Sequence, residues 1–179
     1  MKILIVNGFP RSGKDLFCEA AFFHRGLVYP MSTIDEVRGL AKILGWDGKK
    51  DEKGRKFLSD LKDAMTEYND LPREFILKQI KEKCDLLNLQ LLMGAHSAIF
   101  LVQAREPKEI KRWVEENNAK TLCIYRTGLD KTWGNHADDD VLSYEYDYYL
   151  VNSGTIEEWG QKTCEFIDMI RKEEWESHI

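Results

Sequence analysis

Short apolar runs alternate with longer amphipathic stretches along the chain, and this alternation predicts strands and helices in turn. Five apolar runs have the length of strands; they lie at 3–6, 27–31, 98–102, 121–125 and 148–151. The run at 98–102 is apolar throughout, which is typical of a strand covered on both faces of a parallel sheet. Pro30 indicates that the second strand ends close to that residue.

Apolar residues at helical spacing fill most of the intervening segments and predict helices. The predicted helices lie at 16–24, 33–44, 55–68, 108–117 and after Thr155, with a long one from the Asp70–Pro72 start signal to about 92. Two starts carry a capping-box pattern, Thr33 with Glu36 and Thr155 with Glu158. The last helix should bury the side that carries Trp159, Thr163, Phe166, Ile167 and Ile170.

Strands that alternate with helices in this way indicate βαβ units and an α/β fold with a parallel sheet of about five strands. The helical region 33–92 lies between the second and third strands as an insertion. The polar region 126–146 has no clear period, and its length suggests a functional loop or lid. The whole chain, 1–179, is expected to form one domain.

Composition narrows the class of protein without naming an activity. The chain is 43% hydrophobic and 32% charged, which is typical of a globular protein, and no apolar run has the length of a membrane span. A net charge of −5 argues against a general nucleic-acid binder but permits a local basic cleft. The four cysteines are scattered singly, so buried reduced thiols are expected rather than zinc ligands. With no recognisable leader, the expected location is the cytoplasm.

The segment from Gly8 to Asp15, GFPRSGKD, carries the chemistry. It stands between a strand and a helix, with its glycines and lysine at the spacing of a phosphate-binding P-loop. Gly8 and Gly13 allow backbone N–H groups to point inward at phosphate oxygens, and the helix N-terminus adds positive potential. Lys14 supplies a full charge for the outer phosphates. We therefore expect a nucleoside triphosphate, held by Gly8, Arg11, Ser12, Gly13, Lys14 and Asp15.

Asp15 stands where many such loops carry a Ser or Thr that contacts Mg²⁺. A carboxylate is a hard oxygen ligand that suits Mg²⁺ directly or through water, so we expect Asp15 to be the acidic group near the metal. Arg11 lies inside the loop and can reach a phosphate from the side. Arg126 begins the lid directly after a strand and is the candidate clamp for charge in the transition state. Either arginine is open to a purely structural ion pair instead.

The loop 11–15 resembles that of the phage-type deoxynucleoside monophosphate kinases, and animal phosphomevalonate kinase has a similar loop. Further segments resemble that family in the same order; they are Arg38, the basic stretch 54–58, the stretch 102–107 after the third strand, and the Asn-x-Gly turn before the last helix at 152–158. One position departs from it, because Gln103 stands where the family usually has an acid. A neutral amide does not offset the charge of Mg²⁺, so no metal role is expected for Gln103.

The resemblance implies a P-loop nucleoside monophosphate kinase that uses ATP and Mg²⁺, with 33–92 as the monophosphate-binding insertion and 126–146 as the lid. Arg38 and Arg105 are the candidates for binding the acceptor phosphate, with Arg55 and Arg73 as secondary ones. Tyr68 could stack on a base, although a place in the core is the competing interpretation. A phage origin, and with it the host cytoplasm, is implied by resemblance alone.

Two other functions stay open. One is a P-loop kinase of another phosphorylated small molecule, such as phosphomevalonate or dephospho-coenzyme A. The other is a nucleotide-binding switch, against which the chain lacks a guanine-reading Asn/Thr-Lys-x-Asp motif. The expected partners are small-molecule nucleotides, with neither nucleic acid nor a membrane; a homodimer is an open expectation. The base, the sugar and the oligomeric state do not follow from the sequence.

Overall fold

The computed structural model describes residues 1–24, 26–89, 98–128 and 140–173, with backbone only at 140 and 142. The strands are β1 Lys2–Gly8, β2 Val28–Ser32, β3 Ile99–Gln103, β4 Lys120–Arg126 and β5 Tyr148–Asn152. The helices are α1 Lys14–Phe23, α2 Thr33–Ile43, α3 Glu52–Asn69, α4 Leu71–Leu89, α5 Pro107–Asn117 and α6 Ile156–Lys172, with a 3₁₀ turn at Asp140–Ser143. Among the described residues, no helix combines the length and apolarity needed to cross a membrane.

All five strands are parallel and stand in the order β2-β3-β1-β4-β5, which confirms the predicted α/β fold and sheet. β1 lies in the middle, paired with β3 on one side and β4 on the other. β2 is an edge strand, and this is the position in a sheet where Pro30 costs no ladder hydrogen bond. The carboxyl ends of all strands meet at one edge, where the loop after β1 lies.

Alternate residues of β1 enter two different cores. Ile3 and Ile5 face α4, α5 and the segment 140–146, whereas Leu4 and Val6 face α1 and α6. Both layers are apolar, which explains why the central strands read as continuous apolar runs rather than alternating ones. The five residues predicted for the buried face of the last helix are all buried in α6.

The inserted helices divide into two parts. α4 packs on the sheet through Ile76 and Ile80, both almost fully buried. α2 and α3 form a small apolar cluster of their own around Val37, Leu58 and Met65. The insertion is therefore anchored to the sheet by α4, while α2 and α3 pack on each other and on α4.

One helix cap and one helix start differ from the prediction. α2 begins at Thr33 as predicted, but Ser32 is its N-cap, and the Ser32 side chain makes no capping hydrogen bond to the described helix. α3 begins at Glu52 rather than 55, because the Asp51 side chain accepts a hydrogen bond of 2.8 Å from the Gly54 amide. The capping box of Thr155 and Glu158 is confirmed, with both reciprocal hydrogen bonds present.

The predicted lid, 126–146, is only partly described, since 129–139 lie outside the described residues. Its end is not a simple polar loop. Val141 and Tyr146 are buried in the core on the α5 side of the sheet, although the local sequence has no apolar period. This end of the segment is therefore fixed to the sheet.

Candidate phosphate-binding site

The two glycines of the loop after β1 occupy backbone conformations that other residues avoid. Gly8 has φ +145°, and a Cβ added there would lie 1.9 Å from the Ile124 carbonyl oxygen of β4. Gly13 has φ +99°, and its Cβ would lie 2.4 Å from Asn152 Nδ2. The loop can turn tightly against β4 and β5 only because both positions lack a side chain.

Lys14 folds its side chain back over the loop. Its ammonium donates to the Gly8 carbonyl oxygen and, at 2.9 Å, to the Phe9 carbonyl oxygen. The charge is therefore held at the mouth of the loop, where the outer phosphates of a nucleotide would lie. A phosphate oxygen is a stronger acceptor for an ammonium group than a backbone carbonyl, so a nucleotide can compete for this side chain.

Ser12 supports the fit to phosphate from inside the loop. It is only 1% exposed, and within the part of the chain that the structure describes its hydroxyl has no hydrogen-bond partner. A buried hydroxyl without a partner costs free energy, which a phosphate oxygen in the loop would recover. The first N–H groups of α1, which begins at Lys14, find no acceptor within the helix and add donors at the same place.

Two side chains from the last quarter of the chain hold the loop from behind. Asn152 at the end of β5 donates from Nδ2 to the Ser12 carbonyl oxygen at 3.0 Å. Trp159 of α6 donates from Nε1 to the Gly13 carbonyl oxygen at 3.2 Å. Trp159 was predicted only as a core residue, and no local pattern in the sequence signals its contact with a loop some 146 residues away.

Asn7 is a further residue that the sequence does not signal. It is fully buried just before the loop, where its Oδ1 accepts from the Gly8 amide at 2.8 Å. Its Nδ2 donates to the Tyr146 hydroxyl at 2.8 Å and to the Arg105 carbonyl oxygen at 3.1 Å. Burial raises the pKa of Tyr146, so its hydroxyl stays neutral. Asn7 thereby joins the loop to the segment after β3 and to the end of the lid.

Gln103 and Asp15 are the two residues for which the sequence raises the question of metal binding. Gln103, at the end of β3, donates from Nε2 to Cys18 Sγ at 3.3 Å. Burial raises the pKa of Cys18 to about 11, so the thiol stays protonated at neutral pH. Asp15 is exposed in the first turn of α1. Within the described residues, no group of three or more His, Cys, Asp or Glu side chains could hold a metal by itself.

A single carboxylate, that of Asp15, fits a Mg²⁺ ion that is bound together with a nucleotide. Mg²⁺ keeps several waters and is commonly held by substrate phosphates with one or two carboxylates, rather than by a cage of protein ligands. Asp15 is the carboxylate next to Lys14 in the loop and would be the protein ligand or the hydrogen-bond acceptor for a bound water.

Three of the predicted arginines lie at the carboxyl edge of the sheet. Arg11 is exposed within the loop, with φ +62°. Arg126 is the last residue of β4, is exposed, and pairs in register with Asn152. Arg105 follows β3 and is also exposed, while its carbonyl accepts from Asn7. The fold thus brings them to the edge where the loop lies.

Arg38 lies in the second turn of α2. It pairs with Asp35 through Nη1 at 3.0 Å, so the ion pair that competed with a binding role does exist. That pair uses one guanidinium nitrogen, and the side chain as a whole is 37% exposed. The exposed part of the guanidinium is accessible to an anionic ligand in addition to Asp35.

Arg73 is a structural residue. It is 4% exposed, donates to Asn117 Oδ1 at 2.7 Å, pairs with Glu116 at 2.8 Å and lies over the Trp113 ring. Its guanidinium holds α4 against α5. The other secondary candidate, Arg55, is exposed and donates from Nε to the Lys50 carbonyl oxygen at 2.9 Å.

Tyr68 is 82% exposed near the end of α3, so the interpretation that placed it in the core is wrong. α3 ends one residue after Tyr68, where Asp70 caps the helix in a left-handed conformation and pairs with Arg112 of α5.

A shallow depression of about 400 Å³ lies beside the loop. It is bounded by the turn after β5 and the start of α6; its lining residues are Val151, Ser153, Gly154, Glu158, Trp159 and Lys162. Trp159 therefore borders both the depression and the loop.

Comparison with known proteins identifies the fold but not a family. No family model matches the chain, and no curated protein matches it. Among solved structures, the chain is similar to the dephospho-CoA kinase from Campylobacter jejuni, with 15% identity, 96% of this chain and 98% of that chain covered, and a TM-score of 0.51. It also aligns with a sugar kinase from a Janibacter species at 13% identity, 96% of each chain and a TM-score of 0.43.

The first of these similarities supports the P-loop kinase fold over nearly the full length of both chains. The second is too distant to add an argument. Neither reports a deoxynucleoside monophosphate kinase, so the resemblance to the phage-type family stays a sequence-based prediction.

Proposed function

We propose that this protein is an ATP-dependent kinase that transfers a phosphoryl group to a phosphorylated small molecule. The observation that carries the proposal is the loop after β1, in which Lys14 folds over the mouth and the buried Ser12 hydroxyl has no partner. Both groups are explained by a polyphosphate that fills the loop. The fold shared with a dephospho-CoA kinase supports the same class of chemistry.

The residues of the chain would act by position and charge. In-line phosphoryl transfer demands that donor and acceptor be aligned and that charge on the migrating group be neutralised. Lys14 would leave the carbonyls of Gly8 and Phe9 for the outer phosphates. Arg126, exposed at the end of β4, would clamp the transferred group, and Arg11 would contact it from the loop.

Mg²⁺ would neutralise phosphate charge when it enters with ATP. We assign Asp15 to that ion. Asp15→Ala should raise the Mg²⁺ concentration needed for half-maximal activity several-fold, whereas at saturating Mg²⁺ the rate should largely recover. Full activity of the variant at limiting Mg²⁺ would rule out this assignment. Glu19→Ala, an exposed acid farther along α1, is the matched control.

For the acceptor we propose a (deoxy)nucleoside monophosphate. Arg38, whose side chain is 37% exposed, and Arg105 at the sheet edge would bind its phosphate. The insertion 33–92 would contact the base, with Tyr68 as the exposed aromatic candidate on α3. Gln103 favours a phosphate acceptor over an alcohol, because an amide cannot serve as a general base and an anionic oxygen needs none.

A second candidate is a dephospho-coenzyme A-like acceptor. The observation that favours it is the alignment with dephospho-CoA kinase, which spans 96% of this chain and 98% of the other. Shared fold is weaker support than a site, since one fold hosts many substrates. The two candidates therefore have to be separated by measurement.

The deciding experiment measures ADP release from ATP and Mg²⁺ with a panel of acceptors. The panel contains ribo- and deoxynucleoside monophosphates, dephospho-coenzyme A and phosphomevalonate. Strong stimulation by a nucleotide would support the first proposal, and stimulation by dephospho-coenzyme A alone would support the second. Slow ATP hydrolysis that no acceptor changes would contradict both and favour a switch.

The control for this assay is Lys14→Met, which removes the charge but keeps much of the side chain. Loss of one preorganised donor to a charged transition state typically costs about 10²–10³ in rate, so the stimulated activity should fall by at least that factor. We further propose a cytoplasmic protein whose partners are small molecules. The net charge of −5 supports this over nucleic acid, and light scattering would test for a homodimer.

A further inference from the structure

The back of the phosphate loop is held by two donors that point at consecutive carbonyls. Asn152 Nδ2 donates to the Ser12 oxygen and Trp159 Nε1 donates to the Gly13 oxygen. Both lie directly behind Gly13, since a Cβ there would be 2.4 Å from Asn152 Nδ2 and 3.1 Å from Trp159 Nε1. The contact is therefore close enough to exclude any side chain at Gly13.

The direction of these two carbonyls determines the direction of the next two N–H groups. In a trans peptide the C=O and N–H bonds point to opposite sides of the chain. A Ser12 carbonyl held toward Asn152 directs the Gly13 N–H away from β5, and a Gly13 carbonyl held toward Trp159 directs the Lys14 N–H away from α6. Under the proposed function, a polyphosphate would accept from both N–H groups on that side of the loop.

The Trp159 hydrogen bond is not needed merely to satisfy a buried carbonyl. The Gly13 oxygen already accepts from the Phe17 amide at 2.9 Å as the first bond of α1. The packing of the indole ring against Phe17, at a centroid distance of 6.2 Å, would be kept in large part by a phenylalanine. What only the indole supplies is the N–H group aimed at the loop.

We propose that Asn152 and Trp159 are positioning residues that orient the Ser12–Gly13 and Gly13–Lys14 peptide groups for polyphosphate. The inference rests on the proposed function and adds to it two side chains that touch no reacting atom. They act on the affinity for the phosphates, through the loop backbone, and not on the affinity for a nucleoside.

The test compares Trp159→Phe and Asn152→Leu with wild type by calorimetric titration of ATP, inorganic tripolyphosphate and adenosine. Each substitution removes about one hydrogen bond's contribution to loop order, so the Kd of ATP and of tripolyphosphate should each rise about fivefold or more. The Kd of adenosine should stay within twofold. Thermal unfolding of each variant is measured in parallel.

Trp113→Phe is the matched control. It makes the same chemical change in a fully buried tryptophan on the other face of the sheet, whose indole N–H has no partner. It should leave the Kd of tripolyphosphate unchanged. It also retains Trp159, and both variants keep four of the five tryptophans, so tripolyphosphate should change the tryptophan fluorescence of Trp113→Phe more than that of Trp159→Phe.

The outcomes separate the inference from the proposed function. If wild type binds ATP and both folded variants bind tripolyphosphate as tightly, the positioning role is wrong and the proposed function stands. Equal weakening of adenosine and tripolyphosphate would show a merely structural role. If Trp159→Phe unfolds, the other variants decide. An unchanged Kd of tripolyphosphate in Asn152→Leu overturns the inference, and so does the absence of a fluorescence change when tripolyphosphate is added to Trp113→Phe. A wild-type chain that binds neither ATP nor tripolyphosphate overturns both proposals.

Discussion

Gly8→Ala is the most demanding test of how the loop is built. Gly8 pairs with Ile124 at the end of the β1–β4 ladder, with φ +145°. The added Cβ would lie 1.9 Å from the Ile124 carbonyl oxygen and 2.9 Å from its carbonyl carbon. The obstacle is the backbone of a central strand, which cannot move aside as a flexible side chain could.

The size of the effect follows from that distance. A carbon and a carbonyl oxygen approach to about 3.3 Å at closest ordinary contact, so β1 and β4 would have to separate by about 1.4 Å. Such a shift stretches hydrogen bonds of about 2.9 Å beyond their useful range. Losing two ladder bonds costs about 2 kcal/mol, and forcing alanine into this conformation costs about 1–3 kcal/mol more. The total, about 3–5 kcal/mol, is a large part of the 5–15 kcal/mol typical of a domain.

Urea denaturation followed by circular dichroism measures this loss. Gly39→Ala is the control, because Gly39 lies within α2 and a Cβ there meets nothing within 4 Å. It should gain about 0.5–1 kcal/mol, as expected for alanine in place of glycine in a helix. A Gly8→Ala variant whose free energy of unfolding lies within about 1 kcal/mol of wild type would refute the reasoning.

Three further predictions concern residues around the site. Arg73→Met should lower the free energy of unfolding by about 1–3 kcal/mol in urea denaturation, while the KM of the acceptor stays unchanged. A raised KM would show that Arg73 contributes to acceptor binding. Asp147→Asn should destabilise the protein at neutral pH. Burial acts against the charge of Asp147, but hydrogen bonds from Thr121 outweigh it and lower the pKa, so the deficit should vanish in unfolding curves as the pH falls below about 4. A deficit that persists in acid would exclude the carboxylate as its cause. With a pKa of about 11, Cys18 should react far more slowly with iodoacetamide at pH 8 than the half-buried Cys164, as peptide mass spectrometry would show; equal rates would contradict its burial.

The parts of the fold that follow from local pattern could be predicted from the sequence. Apolar runs gave the five strands within one or two residues, because each central strand is buried on both faces. The capping box at Thr155 was correct because both of its bonds join residues within one turn. For α2 the start at Thr33 was correct but the capping box was not, since Ser32 is the N-cap and Thr33 is already helical and buried.

The candidate site shows the same distinction between local motifs, which the sequence reveals, and contacts between distant residues, which it does not. Gly8, Gly13 and Lys14 could be proposed from the sequence because a phosphate loop is a local motif with fixed spacing. The choice between ion pair and ligand for Arg73 could not be made, because its partners Asn117 and Glu116 lie on another helix whose packing the sequence does not reveal. The structure shows that the Arg73 guanidinium is buried against α5, whereas the Arg38 side chain is 37% exposed beside its ion-pair partner Asp35.

The shape of the phosphate loop depends on residues that are close together in sequence, but the side chains that hold the loop in place come from distant parts of the chain. Asn7 reaches Tyr146 across 139 residues of sequence, and Ser12 and Gly13 are reached by Asn152 and Trp159 across 140 and 146. Contacts between residues so far apart in sequence form only when β5 and α6 have docked on the sheet. Closing such long loops costs chain entropy, and the packing that offsets this cost forms late in folding. A motif in the first fifteen residues therefore becomes a binding site only when the last elements of the chain are in place. It follows that substitutions near the carboxyl end of the chain can weaken phosphate binding without touching the motif.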